Sequence, residues 1–118
     1  MKKILILGAG LVARPLVRYL LDAPEFHVTV ATRTLSKAEE LIDRHPRGTA
    51  KPLNVEDASA LKAFISTADL VISLLPWTHH INVAKHCLDS RKHLVTTSYV
   101  KPEMQAFDVE AQKNNLLF

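Results

Sequence analysis

The sequence predicts an α/β fold: a doubly wound parallel sheet of five strands plus the start of a sixth, with helices on both faces. Three observations carry that prediction. Short runs rich in Val, Ile, Leu and Thr alternate with segments of helical period along the whole 118 residues. Those short runs are almost continuously apolar, as strands covered on both faces must be. The first run breaks at Gly-Ala-Gly, residues 8–10, and a helical pattern starts directly after it. Strict β–α alternation calls for right-handed crossovers, and hence for parallel strands.

Each element has its own justification. The first strand is "KILIL" (3–7). In "LVARPLVRYLLDA" the apolar stripe is read as Val12, Leu16, Tyr19 and Leu20, and Pro15 sits near the first turn, where few hydrogen bonds are lost. "HVTVAT" (27–32) is the second strand. "SKAEELIDRH" follows, with Ser36 as N-cap and Glu39 three residues on, a capping-box pattern on a solvated helix. "AKPLNV" (50–55) is the third strand, and Pro52 argues for an edge position or a start beyond it. "DASALKAFIS" is a short helix led by Asp57. "LVISLL" (70–75) is the fourth strand. "THHINVAKHCLDS" places Ile81, Ala84 and Leu88 on one face, with Thr78 as cap. "HLVTT" (93–97) is the fifth strand. "PEMQAFDVEAQKN" starts a last helix with Pro102 at its first position, and "LLF" (116–118) begins a sixth strand. A chain that stops there is expected to be a fragment of a longer protein, with residues 1–118 forming one nucleotide-binding domain.

Composition narrows the function classes. Apolar residues make up 47%, enough to bury one core. The net charge of +3 comes from scattered Lys and Arg, which reads as a solvated surface rather than a nucleic-acid patch and also suits a phosphorylated cofactor. Cys87 is the single cysteine, so no internal disulfide forms, and it reads as a small apolar core residue. No apolar run approaches a membrane span, and the start "MKKILILG" is too short for a signal peptide, so a cytoplasmic location is expected. His79, His80 and His86 lie beside Cys87, but the His79/His86 and His80/Cys87 spacings span two helical turns, too far to share an ion, so no metal is expected.

The glycines carry the chemistry. Gly8 follows the first strand directly and permits a tight turn. Gly10 has no side chain, so a pyrophosphate can approach the backbone. Ala13 fills the third position of Gly-x-Gly-x-x-Gly/Ala, where a small residue lets helix and strand pack closely. The helix then presents free N–H groups and its positive dipole end to phosphates. This is the Rossmann dinucleotide pattern, with strand order 3-2-1-4-5-6 as the natural arrangement. A methyltransferase or an NAD enzyme would place a ribose-binding acid after the second strand. That position reads "ATRT" (31–34), with no Asp or Glu. Thr32, Arg33 and Thr34 offer two hydroxyls and a guanidinium, which suit a 2′-phosphate and favour NADP over NAD. Arg33 as a plain solvated residue stays open. Asn54, near the adenine edge, either bonds a base or caps the next turn. Leu75 and Pro76 reach toward the nicotinamide end, and Ser98 and Tyr99 lie at the carboxyl edge of the sheet, where ligands bind.

Four segments, "LILGAGLVARP", "VTVATRTLSKA", "DLVISLLPWTHH" and "KHLVTTSYVKPEM", give the chain a resemblance to the N-terminal domain of glutamate-forming saccharopine dehydrogenases. The resemblance covers the whole chain. It implies an NADP-binding Rossmann domain, with a substrate domain inserted after the sixth strand. By that resemblance Gly10, Leu11, Val12 and Ala13 would meet the pyrophosphate, and Thr32, Arg33 and Thr34 the adenosine phosphate. Asn54 and Val55 would lie at the adenine, Leu75 and Pro76 beside the nicotinamide, and Ser98 and Tyr99 against saccharopine. The family usually carries Asp where this chain has Asn54. The implied reaction oxidises a secondary amine, and the resulting imine is hydrolysed to glutamate and an aminoadipate semialdehyde. No catalytic residue is assigned, because the acid–base group would lie outside these residues, and the fragment alone is expected to be inactive. Two other readings stay open: a stand-alone nicotinamide-nucleotide regulatory module, and an enzyme of the carboxynorspermidine or homospermidine type. Oligomeric state also stays open, a homodimer of the full-length protein being one arrangement.

Overall fold

The computed structural model describes residues 2–8, 13–54, 56–75 and 77–96. Nine elements follow in strict alternation: β1 (Lys2–Leu7), α1 (Ala13–Asp22), β2 (Phe26–Thr32), α2 (Leu35–Ile42), β3 (Gly48–Pro52), α3 (Ala58–Ser66), β4 (Leu70–Ser73), α4 (Trp77–Ser90) and β5 (His93–Thr96). The five strands are all parallel and ordered β3-β2-β1-β4-β5. This is the Rossmann arrangement expected from the sequence. The last helix and the sixth strand expected after residue 101 lie outside the described residues.

Period-two burial explains why the sheet has helices on both faces. Ile4 and Ile6 of β1, Val28 and Val30 of β2 and Ile72 of β4 pack with Val17, Leu20 and Leu21 of α1 and Ala38 and Ile42 of α2. Leu5, Leu7, Ala31, Val71 and Leu94 point the other way, onto Leu61 and Ile65 of α3 and Val83, Ala84 and Cys87 of α4. β1 is the central strand, paired to β2 on one side and β4 on the other. Cys87 is fully buried in the second cluster, and desolvation pushes its thiol pKa up to about 12. It is therefore a neutral packing residue at ordinary pH.

Several local expectations are corrected. The buried stripe of α1 is Ala13, Val17, Leu20 and Leu21, whereas Tyr19 is 76% exposed. The true face is rotated from the one inferred, because tyrosine counts as apolar in a pattern yet keeps its polar tip in water. α2 starts at Leu35 with Thr34 as N-cap, and no side chain makes a cap bond, so Ser36 lies inside the helix and the capping box does not form. Pairing to β2 sets the bounds of β3, so the strand runs from residue 48 and stops at Pro52 rather than spanning 50–55. β3 is an edge strand, where a residue without an N–H is tolerated, and the next ladder bond comes from Leu53 N–H to the Thr32 carbonyl at 2.9 Å. β3 is only partly buried, unlike the central strands. β4 ends at Ser73, before Leu74 and Leu75. α4 begins at Trp77, which puts Thr78 within its first turn rather than at its cap. Asp57 does cap α3, accepting from Ala60 N–H at 3.2 Å.

One cation has a structural role that its sequence position does not announce. Arg47 donates through its guanidinium to the carbonyls of Leu21, at 2.6 Å, of Ala23, and of Phe26, at 3.2 Å. These carbonyls lie at and just beyond the end of α1, where backbone acceptors lack helical partners and the dipole favours positive charge. Arg47→Met is expected to lower unfolding free energy by about 2–3 kcal/mol, the scale of charge-assisted bonds left unmade. Denaturant titration checks this; a shift within experimental error would show that water replaces the guanidinium without cost.

Candidate functional site

The site is built from strand ends. β1 lies between β2 and β4, and the helices that follow β1 and β4 pack on opposite faces of the sheet, so the carboxyl ends of these two strands form the switch point at which open α/β sheets take ligands. Gly8 stands at this point. Its N–H donates to the Ala31 carbonyl at 2.9 Å, and Leu74 N–H donates to the Leu7 carbonyl at 2.9 Å. Gly8 has φ +99°, a conformation that L side chains rarely adopt, and a Cβ there would lie 3.4 Å from the Leu74 carbonyl carbon and 3.4 Å from Leu75 Cδ2. Position 8 thus needs glycine for its dihedral angle, and its backbone lies close against Leu74 and Leu75. Ala13, the third position of the glycine pattern, is fully buried where α1 begins. That fits a position where helix and strand approach closely. Gly10, Leu11, Val12, Val55, Pro76, Ser98 and Tyr99 lie outside the described residues.

A second group gathers where β2 and β3 end. Thr32 closes β2, Arg33 follows in the bend, and Thr34 is the N-cap of α2 with a hydroxyl that makes no cap bond. Arg33 keeps 68% of its side chain exposed. Its Nη2 lies 3.5 Å from Asn54 Oδ1 and 4.0 Å from Glu56 Oε2. Asn54 Oδ1 also accepts from Glu56 N–H at 3.0 Å, so the carboxamide makes an Asx turn. A backbone N–H must meet an oxygen, which fixes the orientation of the amide and leaves Nδ2 as the group free to donate. The two readings of Asn54 are compatible: its oxygen holds the turn, and its nitrogen is the donor a base acceptor would meet.

Residues missed by sequence reasoning lie here too. Glu56 faces Arg33 from the turn before α3. Its only signal was an acidic residue just past the third strand, in a run that otherwise reads as helix-capping chemistry. Ser73, the last residue of β4, pairs in register with Leu7 and is fully buried, and its Oγ has no hydrogen-bond partner among the described residues. Within a strand written "LVIS", one hydroxyl gives no warning of this.

A distinct cavity of about 170 Å³ opens on the α3 side of the sheet, lined by Lys3, Thr29, Thr49 and Phe64 among others. It is below the size of ordinary small-molecule sites and lies away from the carboxyl edge. No group of three His, Cys, Asp or Glu able to hold a metal occurs among the described residues. Among those residues no helix is long and apolar enough to cross a membrane.

Comparison with known proteins gives the chain a family. A family model described as the saccharopine dehydrogenase NADP binding domain matches residues 4–118. The chain is 46% identical over 113 residues to a saccharopine dehydrogenase (NADP(+), L-glutamate-forming) of Schizosaccharomyces pombe, covering 96% of this chain and 25% of that protein. It is 33% identical to a mitochondrial alpha-aminoadipic semialdehyde synthase of Rattus norvegicus, over 91% of this chain and 12% of that one. Among solved structures, the apo saccharopine dehydrogenase (L-Glu forming) of Saccharomyces cerevisiae superposes with a TM-score of 0.88 at 38% identity, over 98% of this chain and 26% of that chain. The chain thus spans about a quarter of the length of the saccharopine dehydrogenases it matches.

Proposed function

From the premise that this chain belongs to the saccharopine dehydrogenase NADP-binding domain family, we propose that it is the cofactor-holding domain of an NADP-dependent oxidoreductase acting on the CH–NH group of saccharopine in lysine metabolism. The observation that carries the reading is Arg33. It is an exposed guanidinium at the end of β2, with its side-chain partners among the described residues at 3.5 and 4.0 Å, where a carboxylate would instead bind ribose hydroxyls. The chain's groups fit the cofactor in parts. Gly8 at the end of β1 and the start of α1 stand on either side of the proposed diphosphate site, with Gly10, Leu11, Val12 and Ala13 as its contacts. Thr32, Arg33 and Thr34 supply two hydroxyls and a cation for the 2′-phosphate. Asn54 and Val55 border the adenine, and Leu75 and Pro76 the nicotinamide.

When bound, the nicotinamide supplies a hydride acceptor, and the domain's task is to orient it and neutralise its phosphates. Ser98 and Tyr99 are proposed as substrate contacts. The remaining substrate contacts and the acid–base group are assigned to parts of the protein other than these residues, in an enzyme for which a cytoplasmic location is proposed. Calorimetric titration of the purified protein with NADPH and NADH tests the proposal. NADPH is expected to bind more tightly, and equal affinities would remove the case for a 2′-phosphate site at Arg33.

A further inference from the structure

We infer that Glu56 is a specificity-determining residue that weakens binding of the 2′-phosphate by competing for Arg33. The inference rests on the NADP reading above and goes beyond it to a residue outside the glycine pattern and the second-strand loop. Among the described residues, Glu56 is the carboxylate paired with Arg33, at 4.0 Å between Oε2 and Nη2. Both side chains are about two-thirds exposed, 68% and 69%, so neither is locked by packing. Asn54 Oδ1 adds a second contact at 3.5 Å, and together they draw the guanidinium from the end of β2 toward the turn after β3.

The competition follows from charge. A phosphate dianion that takes up Arg33 displaces Glu56 from its partner and leaves two anions near one cation. NAD, lacking that phosphate, meets no such repulsion. Like charges several ångströms apart at a solvated surface, partly screened at physiological salt, shift an equilibrium by about three- to tenfold. The turn itself does not depend on the carboxylate, because Asn54 accepts from the backbone N–H of Glu56 and not from its side chain. Removing the charge therefore spares the local fold.

The test compares NADPH and NADH affinity for the wild-type protein, Glu56→Gln and Glu56→Ala by calorimetry at low and at high ionic strength. Both variants are expected to bind NADPH about three- to tenfold more tightly and NADH unchanged, with the gain shrinking as salt rises. Circular dichroism confirms that the variants are folded. Weaker NADPH binding in the variants would overturn the inference, because Glu56 would then be positioning Arg33 for the phosphate. An equal change for both nucleotides, or no change for either, would overturn it as well. If wild-type protein prefers NADPH and the variants do not alter that preference, the inference fails while the functional reading stands. If wild-type protein binds neither nucleotide, both fail.

Discussion

Arg33→Ala is expected to reduce the preference for NADPH over NADH by on the order of 1–3 kcal/mol, the scale of a charge-assisted hydrogen bond to phosphate. The loss should appear in NADPH affinity and leave NADH nearly untouched. The reason lies in how little Arg33 does for the fold. Its side chain is largely exposed, and its polar contacts among the described residues are long, 3.5 Å to Asn54 and 4.0 Å to Glu56. Truncation of such a side chain changes stability by within about 0.5 kcal/mol. The effect is therefore readable as recognition and not as unfolding. Arg33→Lys is expected to fall between, keeping the charge but losing the planar fork that engages two phosphate oxygens. Calorimetry on the three proteins with both nucleotides decides the matter. Equal losses for NADPH and NADH would mean that Arg33 covers the base and does not hold the 2′-phosphate.

Gly8→Val is expected to be the most damaging single change at the carboxyl edge of the sheet. A residue other than glycine held at a rare positive φ costs roughly 1–3 kcal/mol from the backbone alone. Gly8 sits at +99°, and valine, branched at Cβ, tolerates that region worst. The added carbon would also press on the Leu74 backbone and the Leu75 side chain, both at 3.4 Å before any branch is counted. The turn must then either shift, opening the junction of β1 and β4, or stay in place under strain. Denaturant unfolding should show the lost stability. Gly8→Ala, which keeps the dihedral cost without the branches, should lose less. A Gly8→Val protein as stable as wild type would mean that the first turn has slack that its geometry does not suggest.

How much of this was legible in the sequence depended on the range of the interaction. Sheet order was legible because β–α alternation and the hand of crossovers leave few alternatives, and β1 took its central place between β2 and β4. The need for a glycine at position 8 was legible because a strand running straight into a helix must turn sharply. The cap of α3 was legible because Asp57 and Ala60 N–H are three residues apart. By contrast, Ser36 looked like a cap because serine and a glutamate three residues later fit the local pattern, yet the helix starts two residues earlier, with Thr34 as its cap. Tyr19 fitted a helical period but fell on the wet side of α1, since which face turns inward is decided by the sheet beneath it.

The sequence by itself determined the layered α/β architecture, the glycine turn at the end of β1, and the absence of an acid after β2 beside a lone guanidinium. These follow from period, from short-range sterics and from residue chemistry, all of which act within a few positions. Only the tertiary structure decided that Glu56 stands across from Arg33, 23 positions away in the chain, that the Ser73 hydroxyl is buried without a partner among the described residues, and that Arg47 closes the end of α1. Those pairings arise because parallel crossovers return every strand end to one edge, and no local pattern encodes which distant side chains will meet there.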